Sequence, residues 1–162
     1  MRGLAFQDYM EKNYCFCCGS WNERGLRIKS FWDKQNPEEA VCEWKPEPWH
    51  GAGSGQARYI LNGGIMLGLM DGHSVCTALA DAYRREGREI GSCPKIWYVT
   101  AGWERGRFLK PTSLVLPVTL RARVKEIDRK QTIVECTLFS EGVSKTTPVD
   151  FIAFRADHFG QE

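Results

Sequence analysis

The chain has 162 residues and a mass of 18.5 kDa, with 43 % hydrophobic and 26 % charged residues. That is the profile of one globular domain, and it excludes a wholly disordered, collagen-like or coiled-coil chain. Its 22 basic and 20 acidic residues leave a net charge of +2, without the basic excess of a phosphate-reading surface, so no nucleic-acid partner is implied. No apolar run reaches the ~18 residues of a membrane span, and the start of the chain has no signal-peptide core. Seven cysteines without a secretory signal read as reduced thiols of a cytoplasmic protein.

In chain order, residues 1–25 read as a short N-terminal helix or arm followed by irregular structure. Residues 26–33 alternate Leu26, Ile28 and Ser30 against Arg27 and Lys29, the pattern of a half-buried strand. Asn36-Pro37 marks a turn, and residues 40–45 read as the hairpin partner. Residues 46–58 carry two prolines and three glycines and are expected to be a glycine-rich loop without regular structure. Residues 62–85 form the one long helix, with Asn62 as its cap and Gly87 as its stop. From Ile65 to Met70 it is apolar on nearly every side, so it is buried. The remainder reads as strands over residues 96–108, 118–124, 132–138 and 144–156, with Asp128-Arg129-Lys130 as a turn and Pro148 marking an edge or bulge. The sum is a single α+β domain spanning 1–162, an antiparallel β-sheet wrapped around one long central α-helix.

Asp71 stands out within the apolar run of that helix. A carboxylate there is costly unless paired or solvated. At 100° per residue it shares a face with Gly64, Leu67, Val75, Ala78 and Ala82, a stripe of mostly small side chains. Such a stripe either lets a strand pack closely or leaves room for a ligand. The alternative is a carboxylate paired for structural reasons alone. His73 lies about 160° around the helix from Asp71, so the two form no acid–base dyad. It reads first as a satisfied core or interface histidine and is carried as a candidate substrate contact.

Asn62-Gly63-Gly64 puts free N–H groups and the positive dipole end at the helix start, a place for a developing oxyanion. The glycines equally allow a sharp turn and close packing. Gly63 and Asp71 are eight residues apart, roughly 12 Å along a helix. One carbonyl cannot reach both within a chain. If both act on one substrate, they come from different subunits, and a two-fold homodimer is expected, as such or as a dimer of dimers.

At these residues the sequence resembles the hotdog-fold acyl-CoA thioesterases, especially the phenylacetate-degradation type. The family's His-Gly-Gly and a carboxylate seven residues later are matched by Asn62-Gly63-Gly64 and Asp71. Its central strand, ending in an aromatic-Leu-basic-Pro motif, is matched by residues 97–112 with Phe108-Leu109-Lys110-Pro111, and the strand that follows by residues 120–124. Cys15-Phe16-Cys17-Cys18-Gly19 with Asn22 and Gly25-Leu26 resembles a family opening. The likeness runs from about residue 14 to 156. It implies a hotdog fold and hydrolysis of acyl-CoA thioesters without cofactor or metal. Asp71 would be the nucleophile or general base and the Gly63 N–H the carbonyl donor. Asn62 and Gln56 would orient carbonyl and water, with Gly64 and Thr100 beside the substrate. Asn62 departs from the family histidine: it still caps and donates but does not titrate near neutrality. A binding protein for acyl thioesters or small aromatics that has lost turnover is therefore the competing reading. A hotdog dehydratase ranks lower, because neither His50 nor His73 stands at the helix start.

Cys15-x-x-Cys18 invites a zinc site, but no second pair exists, since Cys42, Cys76, Cys93 and Cys136 are scattered. A redox role is disfavoured because the pair opens no βαβ unit. Cys76 reads as core packing, and the six tryptophans as core and interface anchors. Arg105, Arg107 and Lys110 lie where CoA phosphates would meet a pocket mouth, and a solvated strand end explains them equally.

Overall fold

The computed structural model describes residues 3–160. The strands are β1 (Ser30–Trp32), β2 (Ala40–Trp44), β3 (Tyr98–Glu104), β4 (Val118–Asp128), β5 (Gln131–Ser140), β6 (Val143–Ser144) and β7 (Val149–Arg155). The single long helix, α1, runs Gly63–Arg85. All strands join one antiparallel sheet in the order β1-β2-β4-β5-β7-β3, with β6 pairing β5 at the side. The expected α+β architecture is what the chain adopts.

Period-two alternation turns Ala40 and Cys42, Val118 and Leu120, Val134 and Cys136, and Phe151 and Ala153 inward. They close over α1, whose Leu69, Met70, Cys76, Ala78 and Ala80 are fully enclosed. A helix covered on almost every side needs no polar stripe. Asn62 Oδ1 caps its start, accepting from Gly64 N (2.8 Å) and Ile65 N (3.2 Å). No described helix is long and apolar enough to cross a membrane.

Four expectations are corrected. The first strand is confined to Ser30–Trp32. Leu26 and Ile28 are buried as the alternation requires, but their N–H groups bond Phe16 O (2.7 Å) and Cys17 O (3.2 Å), and Arg27 takes a φ of 50°. The N-terminal arm thus claims that segment before a strand can form. β3 ends at Glu104, where Arg105 turns to a φ of 63°. The last strand is split into β6 and β7 around Pro148, which lacks a ladder donor. Residues 46–58 are not irregular throughout: one-turn 3₁₀ segments form at Pro48–His50 and Gly55–Tyr59. Asn62 N to His50 O (3.0 Å) and Ala52 N to Ile60 O (2.8 Å) close the loop at its base.

The N-terminal arm lies across α1. Cys15 O accepts from Gly19 N (2.9 Å), closing a single turn, and Asn13 Oδ1 accepts from Cys15 N (3.0 Å). Gly19 is obligatory, because a Cβ there would lie 2.5 Å from both Asn13 O and Cys15 N. The turn rests on α1 at Gly72, where an added Cβ would meet Cys17 Cβ at 2.7 Å.

Candidate active site

Asp71 sits midway along α1, half-buried, and accepts a hydrogen bond from the Thr100 hydroxyl on β3. Thr100 stands beside an irregularity in the β3–β7 register, between Thr100 and Gly102. A bulge of this kind re-aims side chains, here toward the helix. Burial pushes the Asp71 carboxyl above the ordinary carboxylate range, the Thr100 bond pulls it back, and the Cys15 sulfur nearby adds a smaller upward push. A partly desolvated, hydrogen-bonded carboxylate is suited to general-base or nucleophilic work.

Asp71 and Thr100 open onto a cavity of about 240 Å³, lined otherwise mainly by apolar groups, among them Val75, Leu79, Trp97 and Val99. The N-terminal turn forms its other wall through Met10, Asn13, Cys15 and Cys18. On the face of α1 that carries Asp71, space remains beside Val75, the second of the two readings; the close approach to the helix is made instead by the N-terminal arm at Gly72, outside that stripe.

At the helix start, the Gly64 N–H is taken by Asn62 Oδ1. Any role of Gly64 beside a substrate is therefore one of room rather than of donation. Among the described residues the Gly63 N–H has no acceptor. Asn62 commits its oxygen to the cap and keeps its NH₂ outward on an exposed residue. The Phe108 ring covers Gly63, 3.1 Å from where a Cβ would stand, so a side chain there would push the ring away. Gln56 is exposed on the Gly55–Tyr59 turn and makes no hydrogen bond to Asp71 among the described residues.

His73 does not face the cavity, and its candidacy as a substrate contact is corrected. It is fully buried, with Nδ1 2.9 Å from Ser30 Oγ and Nε2 3.2 Å from Ala40 O. The carbonyl can only accept, so Nε2 carries the proton and Nδ1 accepts from the Ser30 hydroxyl. Ser30 in turn accepts from Gln7 Nε2 at 2.8 Å. Every polar atom of the ring is spent inside the core. Burial pushes its pKa down to about 4.

Sequence reasoning passed over Trp97, Cys15 and Phe108 as parts of this site. Only the Cys-x-x-Cys spacing and the Phe108-Leu109-Lys110-Pro111 motif signalled two of them, and neither shows which side of the helix its residues reach.

No protein-family model and no curated protein matches this sequence. Solved structures do. The chain is similar to a thioesterase superfamily protein from Shewanella loihica PV-4 (24 % identity over 78 % of this chain and 89 % of that one, TM-score 0.58). It is similar to the PaaI protein of the E. coli phenylacetic acid degradation operon (14 %, 81 % and 80 %, TM-score 0.60). A hypothetical thioesterase from Streptococcus pneumoniae TIGR4, solved with coenzyme A, is also similar (15 %, 74 % and 79 %, TM-score 0.57). These likenesses establish the fold: the chain is a hotdog, as the sequence motifs implied.

Proposed function

We propose that this hotdog protein hydrolyses acyl-CoA thioesters at a site completed by a second copy of the chain. The observation that carries the reading is the separation of its parts. Asp71, held by Thr100, borders an apolar cavity, while the free Gly63 N–H lies two helical turns away on the same helix. A two-fold partner would bring its own helix start to this Asp71, twice per dimer.

Three features support the assembly. β3 ends the sheet order, so its outer edge lacks a strand partner within the described chain. Trp103 on that strand, with Phe108 and Leu109 beyond it, is more than half exposed, an apolar patch of the sort a partner covers. The isolated chain exposes 9532 Å², against about 8,200 Å² expected for a monomer of this mass. The excess exceeds the about 800 Å² that each partner buries in a standard interface.

In this reading the acyl group enters the cavity, and the partner's helix start donates from its Gly63 N–H to the thioester carbonyl. The Asp71 carboxylate then either attacks the carbonyl carbon or takes a proton from an attacking water. Negative charge gathers on the carbonyl oxygen, where a preorganised N–H acts most strongly. Collapse expels the thiolate of CoA, a good leaving group; on the water route this frees the acid directly, and on the nucleophilic route it leaves a mixed anhydride on Asp71 that a second water hydrolyses to the acid. Coenzyme A as the carrier is supported by the ligand of the Streptococcus structure. The chemistry asks for no metal or cofactor, and Asn62 acts as helix cap with its NH₂ available to the carbonyl.

The test is thiol release from short, long and aromatic acyl-CoAs, wild type beside Asp71→Ala. The variant should lose at least about 10²-fold in kcat while keeping fold and oligomeric state. Most activity retained would overturn the role of Asp71. The second reading, a binding protein without turnover, is favoured by the commitment of Asn62 to its cap. Saturable stabilisation by acyl-CoA with no thiol released would select it.

A further inference from the structure

Three cysteines line the cavity beside Asp71: Cys15 and Cys18 from the N-terminal turn and Cys76 from α1, with Cys17 on the same turn as the first two. The Cys18 sulfur takes a long hydrogen bond from Asn13 Nδ2 at 3.6 Å. Cys15 is exposed, whereas Cys18 and Cys76 are buried. An accessible thiol on the turn is thus backed by an enclosed one three residues on.

We propose that Cys15 and Cys18 form an oxidisable dithiol on the cavity wall, with Cys15 the attacking sulfur and Cys18 the resolving one. The turn closed by Gly19 N on Cys15 O puts the two one helical step of three residues apart. That spacing gives a Cα separation of about 5 Å, inside the range that a disulfide accepts. Cys17 is packed against α1, its Cβ at Gly72 and its sulfur at Gly68. The absence of a βαβ unit is no obstacle, because what this chemistry needs is a stabilised thiolate beside a second thiol.

With a hydroperoxide as oxidant, the Cys15 thiolate attacks the distal peroxide oxygen and the O–O bond breaks. The alcohol leaves with a proton, and a sulfenic acid remains. The Cys18 sulfur then attacks the Cys15 sulfur, the S–S bond forms, and hydroxide departs with the Cys18 proton as water. Two thiols and one hydroperoxide become one disulfide, one alcohol and one water.

Its neighbours Cys17 and Cys18 hold the Cys15 thiol far below the ordinary thiol range, while they themselves are pushed up. The groups facing Cys15 are Cys17 and Cys18 on its own turn, Asp71 and Cys76 from α1, and the uncharged Thr100 from β3.

The experiment reads thiols rather than turnover, so it stands or falls apart from the thioesterase proposal. The reduced full-length protein is treated with one equivalent of hydrogen peroxide, digested and weighed. The peptide 13–24 should lose two hydrogens in the wild type and in Cys17→Ser, but not in Cys15→Ser or Cys18→Ser. Cys18→Ser should instead accumulate a sulfenic acid that a 1,3-diketone traps. A bond from Cys15 to Cys17, a bond to Cys76, or no bond overturns the proposal. Because Cys18 is buried and its replacement threatens the fold, a second reading uses the unaltered protein. Iodoacetamide at pH 6 should alkylate Cys15 at least roughly tenfold faster than the exposed Cys93. Equal rates overturn it as well.

Discussion

Acidification through the range of an ordinary histidine should destabilise this fold, and His73 is the reason. The ring is enclosed and held neutral between Ser30 and Ala40. Its pKa is pushed down to about 4 from an ordinary 6.5. The unfolded chain therefore binds a proton at higher pH than the folded one. The stabilisation is complete above pH 6.5 and is lost as pH falls toward 4. At 1.36 kcal/mol per pH unit of difference, the loss reaches about 2 kcal/mol at pH 5 and levels near about 3 kcal/mol. The depressed carboxyls of Asp8, Asp33 and Glu86 act in the same sense, but at lower pH. Asp71, whose carboxyl is raised, works the other way. Urea unfolding at pH 7.5 and pH 5, at one protein concentration so that association stays constant, gives the difference directly. His73→Gln keeps a donor for Ala40 but does not titrate, and its loss between the two pH values should be smaller by about 2 kcal/mol. His50, whose pKa burial also lowers, is present in both proteins and cancels. Equal losses in the two proteins would refute the assignment of His73 as a neutral core group.

Thr100→Val removes the hydroxyl donor to Asp71, so the acid limb of the pH profile of thiol release should move to higher pH; an unmoved limb would mean that the pair is not coupled. Asn62→Ala leaves the Gly64 and Ile65 N–H groups uncapped and should cost about 1 kcal/mol in denaturant unfolding, whereas Asn62→Asp should retain the cap. Equal stability of these two variants would deny the cap its role. Gly72→Ala drives a methyl against Cys17 and should destabilise by about 1–3 kcal/mol; a neutral effect would show that the arm does not pack as described.

Much of this molecule is local in origin and was legible. The helix over residues 62–85, its Asn62 cap, the β4–β5 hairpin and the strand cores follow from periodicity and capping, which act within a few residues. Asp71 was visible because a carboxylate in an apolar run violates the pattern around it. What sequence did not decide was partnership across the sheet and the arm. Segment 26–28 alternates like a strand, yet its N–H groups go to Cys17 and Phe16. His73 and Asp71 are two residues apart and face a core and a cavity, and only the position of β1, β2 and β3 around the helix tells them apart. The sulfur cluster shows this most sharply. Cys15 and Cys76 are 61 positions apart, and they line one cavity because Gly72 lets the arm lie against the helix. Sequence determines which residues are apolar, charged or free to turn, since those are properties of short stretches of chain. Which of them share a wall is set by close packing between distant segments, and that is decided only when the chain folds.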